Sequence, residues 1–160
     1  MAENENGAQP TPPQMKILGQ YIRDMSFENI LSRKPIEGQM QPDFQVKVSH
    51  DVKKPGDNRY EVISKYSITS TNKGSDAVLF VLEVEYSGLF QIENIPQEQL
   101  HPYLLIECPR MMFPFVRRIV SDVTRDGGFP PLNLDNIDFV SMYRQQIEQL
   151  QAQQKAAQPN

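Results

Sequence analysis

An α+β fold, a four-stranded antiparallel sheet followed by a long helix and a C-terminal helix, is predicted by three observations. Apolar and polar residues alternate with period two through most of the first ninety residues. The apolar spacing then changes to threes and fours. All the strand-like segments precede all the helix-like ones, an order that segregates helices at one end of an antiparallel sheet.

The elements follow in chain order. Residues 1–13 are rich in Asn, Glu, Gln and Pro and predict a disordered tail. A single domain is predicted over 14–150. From Met15 to Phe27 an extended segment carries Ile17, Tyr21 and Met25. LSRKPIEGQMQPD then reads as a long loop. Phe44, Val46 and Val48 alternate with polar neighbours as a half-buried strand, and KKPGDN turns the chain. Tyr60, Val62, Ser64, Tyr66 and Ile68 form one face of the third strand, closed by the hairpin signal TNKGSD. In the fourth strand Val78, Phe80, Leu82, Val84 and Tyr86 share a face, and Leu79, Val81, Glu83 and Glu85 share the other. That second face should meet water, yet it carries Leu79 and Val81. Either a loop covers it, or it is a contact patch with an acidic rim.

Met112, Phe115, Val116, Ile119, Val120 and Val123 then mark an amphipathic helix, tightened or kinked at Pro114 and ended by Gly127-Gly128. On this stripe Phe115 points to core or interface, while Phe113 falls off it. Asp135 is predicted to cap a last helix carrying Phe139, Val140, Met142, Tyr143, Ile147 and Leu150. Residues 151–160, rich in Gln and Ala, should fray into a flexible tail.

Composition narrows the function. A net charge of −4 and no dense Lys/Arg stripe argue against nucleic acid. No apolar run approaches the ~20 residues of a membrane span, and the polar N-terminus has no signal segment. A single cysteine precludes an internal disulfide and fits a reducing compartment; the expected location is the cytosol. His50 and His101 stand near no activating partner and read as solvated or capping residues; Cys108 reads as a packed thiol. Metal-ligand clusters and a phosphate loop are both missing from the sequence, so no metal or cofactor is expected and an enzyme is disfavoured.

Binding remains. Seven Met and eight Phe give more soft apolar surface than one sheet and two helices can hide. Self-association is expected through the Leu82/Val84 face of the fourth strand with Val116 and Ile119 of the long helix.

DMSFE (24–28), LFVLEVEYSGLF (79–90), CPRMMFPFVRR (108–118) and GGFPPLNLDNIDF (127–139) resemble SecB, the bacterial protein-export chaperone family. The resemblance runs from about residue 15 to 150. It implies a cytosolic homotetramer, a dimer of dimers, that holds unfolded precursors of exported proteins without ATP and passes them to the SecA ATPase. It implies a SecA-binding area at Asp24, Glu28, Val81 and Glu83. It implies a client groove at Phe44, Val46, Val48, Phe113, Phe115, Leu134, Phe139 and Met142. Met40 stands where the family often has an aromatic, which softens one client contact. The tail is Gln/Ala-rich rather than acidic, which leaves its contact with SecA without support. The rival reading is a homo-oligomeric adaptor that binds one folded partner through the acidic patch.

Overall fold

The computed structural model describes residues 11–158. Most of the disordered tail expected over 1–13, and the last two residues of the expected 151–160 tail, lie outside the described residues. Four long strands come first: β1 (Gln14–Asn29), β2 (Pro42–Gly56), β3 (Arg59–Asn72) and β4 (Val78–Glu93). They form one antiparallel sheet in the order β1-β4-β3-β2. Three α-helices follow: α1 (Gln97–Pro102), α2 (Cys108–Asp126) and α3 (Phe139–Ala156). A π-helical stretch, Tyr103–Glu107, joins the first two.

The inner face of β3 is reproduced as expected, although Ile63 on the other face is buried as well. Tyr60, Val62, Ser64, Tyr66 and Ile68 are all buried. So are Phe80, Leu82, Val84 and Tyr86 in β4. Leu79 departs from its expected face. The β3–β4 register passes from Ser70↔Phe80 to Thr71↔Val78, so Leu79 is the extra residue of a bulge. It is fully buried beside Phe80. The loop after β1 closes over it, with the amides of Ile30 and Leu31 both donating to the Leu79 carbonyl at 3.0 and 2.9 Å. Leu79 thus joins the core through the bulge and takes no part in an outer-face patch; Val81 stays half-buried on the outer face.

Helix α2 lies on the inner face of β4 and β3. Its buried residues are Cys108, Pro109, Met112, Phe113, Val116, Ile119, Val120 and Thr124. Gly88 permits this close approach, because a Cβ there would stand 2.5 Å from the Phe90 ring and 3.1 Å from Met112 Sδ. The stripe runs through Phe113 and not through Phe115. Pro109, Phe113, Val116, Val120 and Thr124 recur at fours and threes, and that line is the one facing the sheet. Phe113 is 7% exposed and Phe115 45%. The expected positions of these two rings are therefore reversed. Pro114 sits on the outer side, and the helix continues through it.

A second correction concerns self-association. Leu82, Val84 and Val116 are fully buried and Ile119 is 6% exposed, all within one subunit. Helix α2 folds onto β4 of its own chain, so these four side chains have no surface left for a second copy.

Helix α1 was not legible in the periodicity. The π-helical stretch behind it inserts an extra residue in the turn, with the Cys108 amide donating to the Tyr103 carbonyl. That shifts the phase, so the stripe of α2 does not extend backwards. At the far end of α2, Gly128 takes the left-handed conformation, φ 86°, as expected of the Gly-Gly pair. The buried Thr124 hydroxyl donates to the Val120 carbonyl at 2.8 Å and accepts from the Leu132 amide at 2.9 Å. Helix α3 is capped by Asp138, which accepts from the Ser141 amide at 3.1 Å, rather than by Asp135. It continues to Ala156, six residues past the expected domain end. The only fully buried side chain of α3 is Phe139.

Candidate functional site

Two surfaces stand out. The first is the inner face of β2. Strand alternation puts Phe44, Val46, Val48 and His50 on the side that β3 uses for its core, but α2 does not reach that far. Phe44 and Val46 are 41% and 40% exposed. Across from them runs the segment after α2. Together they enclose an apolar cleft of about 350 Å³ lined by Phe44, Val46, Leu132, Leu134 and Ile137, with polar residues at its rim. Phe44 also leans on Phe80, ring centroids 6.3 Å apart, which fixes the cleft floor to the core.

The residues assigned to a groove divide into three groups. Phe44 and Val46 are open, and Val48, Met40 and Met142 are half-buried. Leu134, Phe139 and Phe113 are buried beneath them, at 7%, 3% and 7% exposure. Phe113 stacks on Tyr66, the cross-strand partner of Val48, at 6.3 Å and meets Phe139 edge-on at 5.9 Å, so these rings are core beside Val48 and His50. Phe115 lies elsewhere, stacked on Tyr86 at 6.5 Å towards β1.

His50 is not the solvated residue its sequence context suggests. Its parity on β2 turns it inward, where its ring packs 5.7 Å from Phe139 and Nδ1 lies 2.9 Å from Ser64 Oγ. Burial lowers its pKa from 6.5 to about 4, so it is neutral at ordinary pH. His101 meets Tyr143 of α3 in the same manner, with Nδ1 2.9 Å from the hydroxyl. Sequence spacing gave no sign that both histidines contact α3, since the partners are far apart in the chain. Cys108 is packed as expected: burial, then the nearby Glu107 carboxylate, pushes the thiol up to about 12.

The second surface is the outer face of the sheet at β1 and β4. Cross-strand register sets Asp24 beside Glu85, Ser26 beside Glu83 and Glu28 beside Val81. Asp24, Glu28, Glu83 and Glu85 thus share one face of the sheet with the half-buried Val81. The cations near it are engaged only loosely: Arg33 Nη2 is 4.0 Å from Glu28 with both side chains mostly exposed. The Ser67 hydroxyl donates to Glu83 at 3.5 Å.

A second apolar patch was not anticipated. On the inner side of β1, Ile17, Ile22 and Met25 are exposed, and Phe115 faces out from α2 nearby over Tyr86, the cross-strand partner of Ile22. Neither surface gathers catalytic groups, and among the described residues no three His, Cys, Asp or Glu side chains are placed to hold a metal. No helix among them is long and apolar enough to cross a membrane.

Comparison with known proteins agrees with this geometry. The family model for the preprotein translocase subunit SecB matches residues 8–150. The protein-export protein SecB of Ruegeria pomeroyi is 57% identical, over 99% of this chain and 98% of its own. Its namesake in Roseobacter denitrificans is 59% identical, over 94% and 92%. Among solved structures, a Mycobacterium tuberculosis SecB-like chaperone bound to a peptide from the HigA1 antitoxin superposes with a TM-score of 0.64. It is 14% identical, over 78% of this chain and 91% of that one, which bears on the fold alone. With a family match across nearly the whole chain and relatives above half identity, this chain belongs to the SecB family of protein-export chaperones.

Proposed function

We propose that the chain holds unfolded precursors of exported proteins in the cytosol, without catalysis or nucleotide, and delivers them to SecA. The observation that carries this is the open inner face of β2, where large apolar side chains meet solvent above a fully packed aromatic floor. Apolar segments of an unfolded chain gain roughly 25 cal/mol per Å² buried there. The ordering of the client offsets much of that gain. Each cleft is therefore weak, and several on one particle hold through effective concentration.

Ile17, Ile22 and Met25 on β1 with Phe115 on α2 support self-association, since a second copy would cover them. A homotetramer, a dimer of dimers, is the assembly that the family relationship favours. The carboxylates Asp24, Glu28, Glu83 and Glu85 around Val81 suit a cationic partner surface with an apolar centre, and SecA is the partner proposed for it.

The test pairs native mass with suppression of aggregation of an unrelated unfolded protein. A tetramer that suppresses aggregation without ATP, and gains mass on binding the client, is the expected result. A particle that binds no unfolded chain and no apolar dye sinks the proposal and leaves the adaptor reading.

A further inference from the structure

The outer face of the sheet is charged in two halves. Register lines its side chains up in rows that cross all four strands. One row runs Ser26, Glu83, Ser67, Lys47 from β1 to β2, and the next runs Asp24, Glu85, Lys65, Ser49. In both rows the carboxylates stand on β1 and β4, and the cation stands on β3 or β2. The rows on either side lack this pattern: one ends in Thr69 and Gln45, the other in Ile63 and Asp51. Lys47 and Lys65 are both exposed. Among the described residues, the ion pairs of this face are Arg23 with Glu61 and Arg33 with Glu28, each at 4.0 Å, so neither lysine is paired. Glu83 accepts from the Ser67 hydroxyl instead. With strands ~4.8 Å apart, Lys47 stands ~10 Å across the sheet from Glu83. Charges more than ~8 Å apart are largely screened at physiological salt, so a bound segment meets the two halves as separate fields.

We infer that Lys47 and Lys65 determine which segment the outer face accepts, and in which direction. They select one that lies across the strands, with cations over β1 and β4 and a carboxylate at its other end over β3 and β2. The inference rests on the reading of this face as the SecA-docking surface and adds the partner's charge pattern to it. In extended chain ~10 Å is about three residues, which sets the spacing between the cationic cluster and the acidic group. Net charge alone favours the opposite pattern, because a protein of charge −4 draws the more positive segment more strongly. A wholly cationic segment laid along these rows would set its far end against two ammonium groups. Long-range attraction therefore brings cationic chains to the face, and the two lysines sort them.

Three labelled, unstructured peptides of equal length test this against the full chain at physiological salt. All carry the same cluster of Lys around one Leu. Three residues on, one has paired Asp, one paired Ser and one paired Lys. Anisotropy should rank them Asp, Ser, Lys, with the Asp peptide roughly threefold to tenfold tighter than the Lys peptide, the worth of two exposed ion pairs. Lys47→Gln with Lys65→Gln sets no like charge opposite Glu85 and should reverse the order to that of net charge. Glu83→Lys should weaken all three. Any other order in the wild type, or the same order in the double variant, overturns the inference while the docking reading stands. If no peptide binds, or Glu83→Lys changes none of the affinities, the docking reading fails and the inference fails with it.

Discussion

Strands β2 and β3 lie side by side with the same alternation, yet their inner faces have opposite fates. Val46 pairs directly with Ile68 across the sheet; the first is 40% exposed and the second fully buried. Val48 pairs with Tyr66 in the same way, half-buried against fully buried. The difference is set by the cover and not by the strand. A helix with its side chains is about 10 Å across, and strands stand about 4.8 Å apart. One helix therefore shields about two strands. Helix α2 takes β3 and β4, and the inner faces of β1 and β2 are left for other occupants. In a four-stranded sheet with a single long covering helix, the two edge strands are the available binding surfaces.

The sharpest way to break this comparison is on α2 itself. Phe113→Ala should destabilise the protein by roughly 3–5 kcal/mol, the range for a large aromatic removed from a core. Phe115→Ala should leave the urea midpoint of the subunit nearly unchanged and shift the particle towards smaller species. Similar midpoints for the two variants would place the covered stripe elsewhere. The β2–β3 pair sharpens it next. Ile68→Ala should cost about 2–5 kcal/mol. Val46→Ala should cost within ~0.5 kcal/mol but speed release of an unfolded client. A smaller effect separates the two walls of β2 by pH. The His50 pKa falls from 6.5 to about 4 on folding because of burial. The unfolded chain then binds more protons in that window, so stability is full above pH 6.5 and declines as pH drops towards 4. His50→Leu should flatten that part of the stability–pH curve; an unaltered slope would assign it to other groups. The smallest effect concerns the outer face, remote from either cover. Glu83→Lys should weaken SecA binding at low salt and reduce its salt dependence, with client retention unaltered. Equal SecA affinity at low salt would remove Glu83 from the contact.

How far the sequence could be read follows from the same geometry. Strand parity was legible because it is local: each of Tyr60 to Ile68 fell on the face assigned to it. The outer carboxylates of β1 and β4 came together only through the family resemblance, because the β1–β4 pairing joins distant parts of the chain. Which strand a helix covers is not local, and that is why Leu82 and Val84 were expected between subunits rather than under their own helix. Phe113 was missed because two stripes can be drawn on α2, about 100° apart at 3.6 residues per turn. The recurrence of Pro109, Val120 and Thr124 with Phe113 was the available cue. Leu79 turned inward through a bulge, which period-two counting cannot register. His50 and His101 both reach α3 over long separations, for which a single sequence carries no signal. Asp138 rather than Asp135 caps α3, and the Ser141 three residues on, whose amide and hydroxyl both bond to it, marked the true start.

Thr124 carries a consequence for kinetics. Its hydroxyl joins the last turn of α2 to the Leu132 amide, at the root of the segment that walls the apolar cleft. A wall tethered to a buried helix does not have to be ordered when a client arrives. The client alone loses freedom, and encounter can proceed without waiting for the receptor to rearrange. Thr124→Val keeps the volume but frees that amide, so the Leu132 N–H should exchange with solvent faster and client capture should slow. In that sense a single hydroxyl, well away from any client, governs how quickly an unfolded chain is caught before it aggregates.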